Sequence, residues 1–353
     1  DEEKRKKLVI YINPPYAEGG NSKTKAGTGD YKKGVNNSKT HDNYHSKLAG
    51  ANRELFAQFL ARIYAEIPNC KIGEFSTLKI LQSSNFSDFR NFFRAKLEKI
   101  FVVPADTFDN VKGKFPIGFK IWNSEIKEEF NLISSDIFDS KETFIGLKQI
   151  HSYKDDKYFS VFVNEVKLKN GFKIGWLEGT TRNSFQHNSI IQIVNNKEQM
   201  AVPRGMPILQ ENLAGVSVCL AVRKAIPATW LNDRDQFLYP NENWKTDQEF
   251  QNDCLAFTLF DSSNNIQSKF GTNHWIPFTE LEVNAKEKFE SNFMTNFITG
   301  KLKTENPENE TLFGENASAT IYDNQPRIFS QEAKEVFDAG RELWKYYHAQ
   351  KDV

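Results

Sequence analysis

Residues 8–16 have the sequence Leu-Val-Ile-Tyr-Ile-Asn-Pro-Pro-Tyr, an apolar run that ends in a proline-rich turn. β-Branched and aromatic residues dominate the first five positions, which predicts a buried β-strand. Pro14 and Pro15 end that strand and hold the backbone extended after it. In an open α/β sheet, the carboxyl ends of the strands face the crevice where ligands bind. We therefore expect the turn to lie at a ligand site.

The turn offers groups suited to a planar ring that carries an amino group. Asn13 supplies an amide carbonyl, Pro14 supplies a backbone carbonyl, and Tyr16 supplies an aromatic face. Two carbonyl oxygens can accept both N–H bonds of an exocyclic amino group. Such contacts draw the nitrogen toward tetrahedral geometry and expose its lone pair.

The composition is that of a globular protein with no overall charge. The chain has 353 residues, enough for two domains with separate cores. Its 46 basic and 46 acidic residues cancel, so a nucleic-acid surface requires local segregation of charge. Three widely spaced cysteines favour a reducing compartment over a disulfide framework or a zinc site. No apolar stretch approaches the length of about 18 residues that spans a membrane, so we expect a cytoplasmic protein.

The spacing of apolar residues predicts alternating helices and strands up to residue 123. In chain order it indicates a long polar loop at 18–53, a helix at 51–67, a strand at 71–81, a helix that begins at Ser87, and strands at 100–103 and 116–122. Residues 124–200 have a strand-like pattern, with Asn170-Gly171 as the turn between strands at 158–169 and 172–177. The rest of the chain mixes strands with helices.

These features resemble the adenine-N6 DNA methyltransferases of restriction-modification systems, in the class with an Asn-Pro-Pro-Tyr motif. The helix, strand, helix and strand pair that follow the turn in that family correspond to residues 55–67, 72–81 and 86–122. The resemblance implies an α/β fold. Residues 1–123 would form the C-terminal half of a Rossmann-like methyltransferase sheet, and residues 124–353 a β-rich, then mixed α+β, target-recognition region.

The resemblance also implies an activity and its catalytic residues. Such an enzyme methylates adenine N6 at specific sites in double-stranded DNA, with S-adenosyl-L-methionine as the methyl donor and the adenine flipped out of the duplex. The catalytic residues would be Asn13, Pro14, Pro15 and Tyr16. Tyr16 would stack on one face of the adenine. A second aromatic residue, from the loop before a later strand, would stack on the other face.

That loop is residues 104–115 in this sequence, and two of its phenylalanines are candidates for stacking. Phe108 is the first choice by its position before the strand at 116–122, and Phe115 is the alternative. The competing interpretation is that either ring is an ordinary core residue, since apolar side chains are mostly buried.

Basic residues in two regions are candidates for DNA contacts. Residues 19–53 carry seven basic and two acidic side chains, and the lysines taken as phosphate contacts are Lys23, Lys25, Lys32, Lys33 and Lys39. A solvated loop without a partner is the alternative for this segment. Arg182 and Arg204 lie in polar stretches of the later region and could read base edges.

The cofactor site of the family does not correspond to any part of this sequence. In the family, S-adenosylmethionine binds N-terminal to the turn, at a Gly-rich strand-to-helix turn followed by an acidic residue. Only twelve residues precede Asn13, and Gly27-Thr28-Gly29 neither follows a strand nor opens a helix. We expect the cofactor half to belong to another part of the same enzyme or to a partner subunit, and this chain alone not to methylate. No histidine or cysteine spacing indicates a metal site.

Two other functions share the same turn. Enzymes that methylate a protein glutamine or an RNA base also use it, but their chains usually end soon after the sheet. A non-catalytic DNA-binding specificity subunit could retain the turn as a vestige. Glu165-x-Lys167 resembles the end of a nuclease metal motif, but no convincing Pro-Asp precedes it, and an exposed charged strand face explains it better.

Overall fold

The computed structural model describes residues 2–5, 7–15, 38–108, 111, 113–152, 158–180, 183–202, 205–268, 271–273, 278–289, 292–301, 303–305, 320–322 and 326–350. These residues form an α/β protein with ten α-helices and a mixed six-stranded sheet. None of the described helices is both long and apolar enough to cross a membrane. The chain divides into two compact units, one made of Asp1–Phe159, Asn183–Gln186 and Pro227–Leu238, and the other of Ser160–Arg182, His187–Ile226 and Tyr239–Val353.

The first unit is built on the six-stranded sheet. Its strands are β1 (Val9–Ile12), β2 (Lys71–Thr77), β3 (Ala95–Pro104), β4 (Pro116–Lys127), β5 (Leu132–Phe138) and β6 (Phe144–His151), in the spatial order β1-β2-β4-β3-β5-β6. β1 is parallel to β2, β4 is antiparallel to both β2 and β3, β5 is parallel to β3, and β6 is antiparallel to β5. The carboxyl ends of β1, β2, β3 and β5 therefore lie along one edge of the sheet.

Helices cover one face of this sheet. They are α2 (Lys39–Leu48), α3 (Leu55–Glu66), α4 (Lys79–Gln82) and α5 (Ser87–Phe92); the short helix α1 (Glu2–Arg5) precedes β1. The apolar sides of α2 to α5 form the main core with the strands, as in the contacts of Leu60 and Phe89 with the cluster that contains Ile72 and Trp122. Burial of this amphipathic face, rather than helix propensity, stabilises such short helices.

The opposite face of the sheet carries a row of aromatic rings. Successive ring centroids are 6.1 Å apart for Tyr11 and Phe119, 5.3 Å for Phe119 and Phe101, 6.1 Å for Phe101 and Phe138, and 5.8 Å for Phe138 and Phe144. Tyr11 and Phe119 meet across β2 at Gly73, where a Cβ atom would lie 2.9 Å from the Phe119 ring. Tyr11 at one end of this aromatic row is 69% exposed.

The strand predicted at residues 8–12 is present as β1, but the prediction that it is buried is wrong. β1 is the first strand in the sheet order and pairs with β2 alone among the described strands. Ile10 and Ile12 face the core, whereas Val9 and Tyr11 are both 69% exposed. The helix predicted at 51–67 is present as α3, and the strands predicted at 100–103 and 116–122 lie within β3 and β4. Of the segment 71–81, predicted as a strand and its exit, Lys71–Thr77 form β2 and α4 begins at Lys79.

The long loop predicted at 18–53 is wrong for its last part. α2 occupies Lys39–Leu48, and a short 3₁₀ helix follows it at Ala49–Arg53. The hydroxyl of Ser38 caps α2 by accepting a hydrogen bond from the backbone N–H of His41 at 3.2 Å. Tyr44 and Leu48, spaced by four residues, are its buried side chains, so the polar composition concealed a helix with a narrow apolar stripe.

The second unit is a mixed α+β assembly of shorter elements. Its helices are α6 (Phe159–Val166, which starts at the last residue of the first unit's long segment), α7 (Leu213–Lys224), α8 (Gln248–Phe260), α9 (Phe293–Thr299) and α10 (Gln331–Gln350). Its strands are β7 (Gly175–Glu178), β8 (Ile193–Val194), β9 (Gly205–Ile208), β10 (Gln267–Ser268), β11 (Gly271–Thr272), β12 (Lys303–Glu305) and β13 (Thr320–Tyr322). β8, β7 and β9 form an antiparallel sheet, and α8 and α10 pack around Phe278, Phe329 and Phe337.

The strand predicted at 158–169 is wrong, because this segment contains the helix α6. Phe159, Phe162, Val163 and Val166 are all buried, and their spacing places them on one face of a helix. The predicted domain boundary at residue 123 falls within β4, and the same sheet continues through β5 and β6 to His151.

Candidate functional site

The Asn-Pro-Pro turn lies at the carboxyl edge of the six-stranded sheet. The ladder between β1 and β2 runs from the Val9–Lys71 pair to the Ile12–Glu74 pair, and the turn follows directly. Asn13 is exposed, Pro14 is buried and Pro15 is exposed. Tyr16 lies outside the described residues. The carboxyl ends of β2 and β3 lie along the same edge, which is the edge where open α/β sheets generally bind ligands.

Phe108 lies in an aromatic cluster that adjoins the strand beside the turn. Its ring meets the Phe75 ring edge-on at a centroid distance of 5.3 Å. Ile12 of β1 pairs with Glu74 of β2. Asn13 is the residue after Ile12, and Phe75 is the residue after Glu74. The Phe108 ring is half-buried against Val103, Ala105 and Ile117 and their neighbours. The structure thus gives Phe108 a packing role against β2, the strand that pairs with β1.

Phe115 lies at the other end of the same loop. The backbone N–H of Ala105 donates to the Phe115 carbonyl at 2.8 Å, directly beyond the Pro104–Pro116 pair that joins β3 to β4. The Phe115 side chain is half-buried, and the guanidinium carbon of Arg234 lies 5.3 Å from its ring centroid. A cation over an aromatic face is attracted by the ring quadrupole. Phe115 therefore has a cation–π contact with Arg234.

Arg234 and Asp233 form a largely buried ion pair beside Phe115. Arg234 Nε and Asp233 Oδ2 are 3.2 Å apart, with side chains 11% and 18% exposed, and neither atom has hydrogen-bond geometry to a partner. Arg234 Nη1 donates to Gln186 Oε1. Burial lowers the pKa of the Arg234 guanidinium and raises the pKa of the Asp233 carboxyl. The pair is a charge centre that is not fully satisfied by hydrogen bonds.

A second ion pair lies close enough to interact with the first. Lys79 Nζ donates to Glu54 Oε1 at 2.7 Å, and both side chains are mostly buried. Glu54 is the residue before α3, and Lys79 is the first residue of α4, two residues after β2 ends. Lys79 lowers the pKa of Asp233, and Glu54 raises the pKa of Arg234, against the larger effects of burial.

The segment that carries Arg234, which we call the return segment (Pro227–Leu238), belongs to the first unit although it follows α7. Lys148 Nζ on β6 donates to Asp235 Oδ2 at 2.8 Å and to the Leu231 carbonyl at 2.7 Å. Gln82 Nε2 donates to Asp235 Oδ1 at 2.9 Å. The sequence analysis missed this segment. The run Asp-Arg-Asp was a visible signal, but nothing local shows which part of the chain it contacts.

A fully buried ion pair stabilises the sheet beneath the turn, and the sequence analysis missed it as well. Lys120 Nζ lies 3.3 Å from Glu74 Oε1 and donates to the carbonyl and the hydroxyl of Ser76 at 3.0 Å and 2.9 Å. Trp122 Nε1 donates to the same Glu74 oxygen at 3.1 Å. Burial lowers the pKa of Lys120, and Glu74 opposes that shift. These contacts link β2 to β4 at the level where β1 ends.

Most of the predicted DNA-contacting cations fall on parts of the chain that the structure does not describe. Lys23, Lys25, Lys32, Lys33, Arg182 and Arg204 all lie outside the described residues. Lys39 is the exposed first residue of α2. Glu165, the acidic residue of the unfavoured nuclease motif, lies on helix α6 rather than on a strand and accepts a hydrogen bond from the Tyr239 hydroxyl.

Neither the cysteines nor the other candidate ligands form a centre among the described residues. Cys70, Cys219 and Cys254 are free and buried. Burial raises the pKa of the Cys219 thiol and raises that of Cys254 to about 12. No group of three His, Cys, Asp or Glu side chains in the described part of the chain is placed to hold a metal ion.

No protein-family model matches the sequence, and no curated protein matches it. The function is therefore argued from the turn, the aromatic loop and the charges around them.

Proposed function

We propose that this chain binds double-stranded DNA and holds a flipped-out adenine at the Asn13–Tyr16 turn, where its N6 atom is methylated, as part of a restriction-modification enzyme. The observation that carries this proposal is the position of the turn. Asn13 is exposed and Pro14 is buried at the carboxyl end of β1, on the edge where ligands generally bind in open α/β sheets. In the proposed complex, Asn13 Oδ1 and the Pro14 carbonyl accept the two N6–H bonds.

The order of elements after the turn supports a methyltransferase-like sheet. α3 lies between β1 and β2 in the chain, α5 lies between β2 and β3, and β4 returns antiparallel between β2 and β3. This is the helix, strand, helix and strand pair that the resemblance implies. We infer that the first unit is the base-binding half of a Rossmann-like methyltransferase domain.

The aromatic loop supports a base as the ligand. Phe108 and Phe115 are both half-buried, so each presents part of its ring outside the core. Stacking of a base on an aromatic side chain contributes about 1–3 kcal/mol, which offsets much of the cost of leaving the duplex.

The described residues do not themselves fit S-adenosyl-L-methionine. In the described part of the first unit, no glycine-rich turn follows a strand and opens a helix, which is the arrangement that binds the donor in the family. β1 is the first strand in the sheet order and pairs with β2 alone among the described strands, so its other edge has no strand partner among the described residues. Such an edge accepts a further strand. We infer that a cofactor-binding polypeptide, from the same enzyme or from a partner subunit, pairs with β1.

The proposal can be tested by DNA selection followed by chemical probing. The full chain is used to select duplexes from a random pool, and the thymine opposite each candidate adenine is probed with permanganate, which oxidises unpaired thymine. We expect the selected duplexes to share a motif in which one such thymine becomes reactive. Asn13→Ala should reduce this reactivity, and Asn131→Ala, at an exposed asparagine of the same unit, should not.

Two outcomes would contradict the proposal. One is selection of duplexes whose thymines all stay unreactive, which would indicate DNA binding without base flipping. The other is selection of single-stranded RNA in place of duplex DNA from a mixed pool, which would indicate a different nucleic-acid substrate.

A further inference from the structure

A short basic loop in the second unit exposes one aromatic ring. Residues 167–173, which we call the Phe172 loop, connect α6 to β7 and have the sequence Lys-Leu-Lys-Asn-Gly-Phe-Lys. Lys167, Lys169 and Lys173 are all exposed, and the loop contains no acidic residue. The Phe172 side chain is 85% exposed.

The loop is held in place at both ends and near its tip. The Asn212 side chain donates to the Val166 carbonyl at 3.2 Å, and the Ile174 N–H donates to the Ile208 carbonyl at 2.9 Å. Gly171 has a φ angle of 125°, and a Cβ atom there would lie 2.3 Å from Leu209 Cδ2. Glycine is favoured at this backbone conformation. The loop is thus anchored at both ends and lies against Leu209 near its tip.

The combination of groups in the loop is specific. A single exposed apolar side chain needs no explanation, and Leu281, which is 90% exposed between two glutamates, is an example in the same unit. Phe172 differs because three exposed lysines and no acidic residue share its seven-residue loop. Lysines bind phosphates, and apolar rings insert between base steps or stack on bases, so this chemistry fits a nucleic acid.

We propose that the Phe172 loop is a DNA-contacting wedge: Lys167, Lys169 and Lys173 bind backbone phosphates, and Phe172 inserts at a base step. The choice of DNA as the polyanion rests on the proposed function. The location of the contact is independent of the proposed function, because no residue of the Asn13 turn takes part in the contact.

Lysine footprinting on the full chain tests the contact residue by residue. The chain is acetylated with and without a saturating mixed-sequence DNA duplex, and modification is read by mass spectrometry. We expect protection of Lys167, Lys169 and Lys173. Lys197, Lys288 and Lys301, which are exposed in the same unit, provide the comparison and should stay reactive.

Two variants separate the charges from the ring. Changing the three loop lysines to Gln should lower the magnitude of the slope of log Kobs against log salt by about 2 to 3, since each phosphate contact contributes about 0.9. Phe172→Ala should weaken binding about tenfold at an unchanged slope, because it removes stacking or insertion but no charge. Leu281→Ala is the matched control for loss of an exposed apolar side chain and should leave both quantities unchanged.

The outcomes distinguish this inference from the proposed function. DNA binding by the wild-type chain with unprotected loop lysines and an unchanged Phe172→Ala affinity would overturn the wedge and leave the proposed function intact. No binding to any duplex would overturn both. Protection of the loop lysines by phosphatidylserine vesicles but not by DNA would show a membrane contact and overturn the wedge.

Discussion

The guanidinium group of Arg234 lies over the ring of Phe115, with 5.3 Å between the guanidinium carbon and the ring centroid. The two residues are far apart in the chain, and the return segment brings them together. Asp235 fixes that segment to Lys148 and Gln82. The orientation of a ring in the proposed base site thus depends on a stretch of chain that leaves the first unit and comes back.

We predict that Arg234 positions Phe115 for base capture. The double variant Arg234→Met with Asp233→Asn removes the cation without leaving a buried charge unpaired. It should reduce the permanganate reactivity of the thymine that was paired with the flipped-out adenine. A cation–π contact of about 0.5–2 kcal/mol corresponds to a loss of roughly twofold to thirtyfold in the flipped state. Arg234→Lys keeps a cation and should lose less. Equal reactivity in the double variant and the wild type would show that Arg234 does not act through Phe115.

Asn13 is predicted to act in methyl transfer and not in DNA affinity. In the enzyme completed by its cofactor-binding part, Asn13→Ala should lower the methylation rate by roughly 10²- to 10³-fold, as for other preorganised polar groups at a reacting centre. DNA affinity measured by gel shift should change by less than about threefold, because phosphate contacts dominate it. Asn131→Ala should leave both unchanged. Substantial methylation by the Asn13→Ala variant would remove Asn13 from the catalytic group.

The buried pair of Glu74 and Lys120 gives a prediction about stability. Lys120→Met leaves the Glu74 carboxylate buried without its cation and should lower the free energy of unfolding by about 3–5 kcal/mol. Adding Glu74→Leu removes the second charge, and the double variant should recover most of the loss. Urea denaturation followed by circular dichroism measures both. A double variant no more stable than Lys120→Met would mean that the pair is needed for more than charge balance.

Glu98 predicts a pH dependence of stability. The pKa of Glu98 lies below its ordinary value of 4.5, mainly because Lys71 donates a hydrogen bond to it at 2.5 Å. A second hydrogen bond, from Asn123, lowers the pKa by a smaller amount. A carboxyl group with a lowered pKa stabilises the folded protein at pH values above its ordinary pKa. This stabilisation is lost as the pH falls through the pKa of the folded state. The pair is partly exposed, so screening keeps the contribution small.

The measurement is the apparent Tm of the wild type and Glu98→Gln between pH 7 and pH 2. We expect the wild type to melt about 1–2 °C higher near pH 6 and the difference to vanish at low pH. Glu125→Gln, at an exposed position on β4, should show no such trend. A difference that persists at pH 2 would assign the effect to packing rather than to charge.

The sequence predicts the first unit well because its elements have strong local patterns. The apolar run before Asn13 and the spacing in residues 55–66 identify β1 and α3 without reference to any contact. Exposure of Val9 and Tyr11 could not be predicted in the same way, since it depends on which strands flank β1. α6 was mistaken for a strand because a short apolar run satisfies both periodicities.

The contacts of the charged residues around the candidate site could not be predicted from local sequence patterns. Glu74 lies in β2 and Lys120 in β4, and only the pairing of these two strands places them opposite each other. Arg234 reaches Phe115 through the return segment, and a charge run in the sequence does not specify its contact partner. Tyr16 and the lysines from Lys23 to Lys33 lie outside the described residues, so their roles stay predictions.

The division of the chain into two units limits how the protein can be cut. The chain passes from one unit to the other after Phe159, Arg182, Gln186, Ile226 and Leu238, so neither unit is one continuous piece of polypeptide. A fragment that ends at residue 159 keeps all six strands of the large sheet but removes Asp235, the ion-pair partner of Lys148. Expression of either unit alone therefore requires the segments to be spliced with linkers, and a single proteolytic nick at one passage leaves the two units covalently joined.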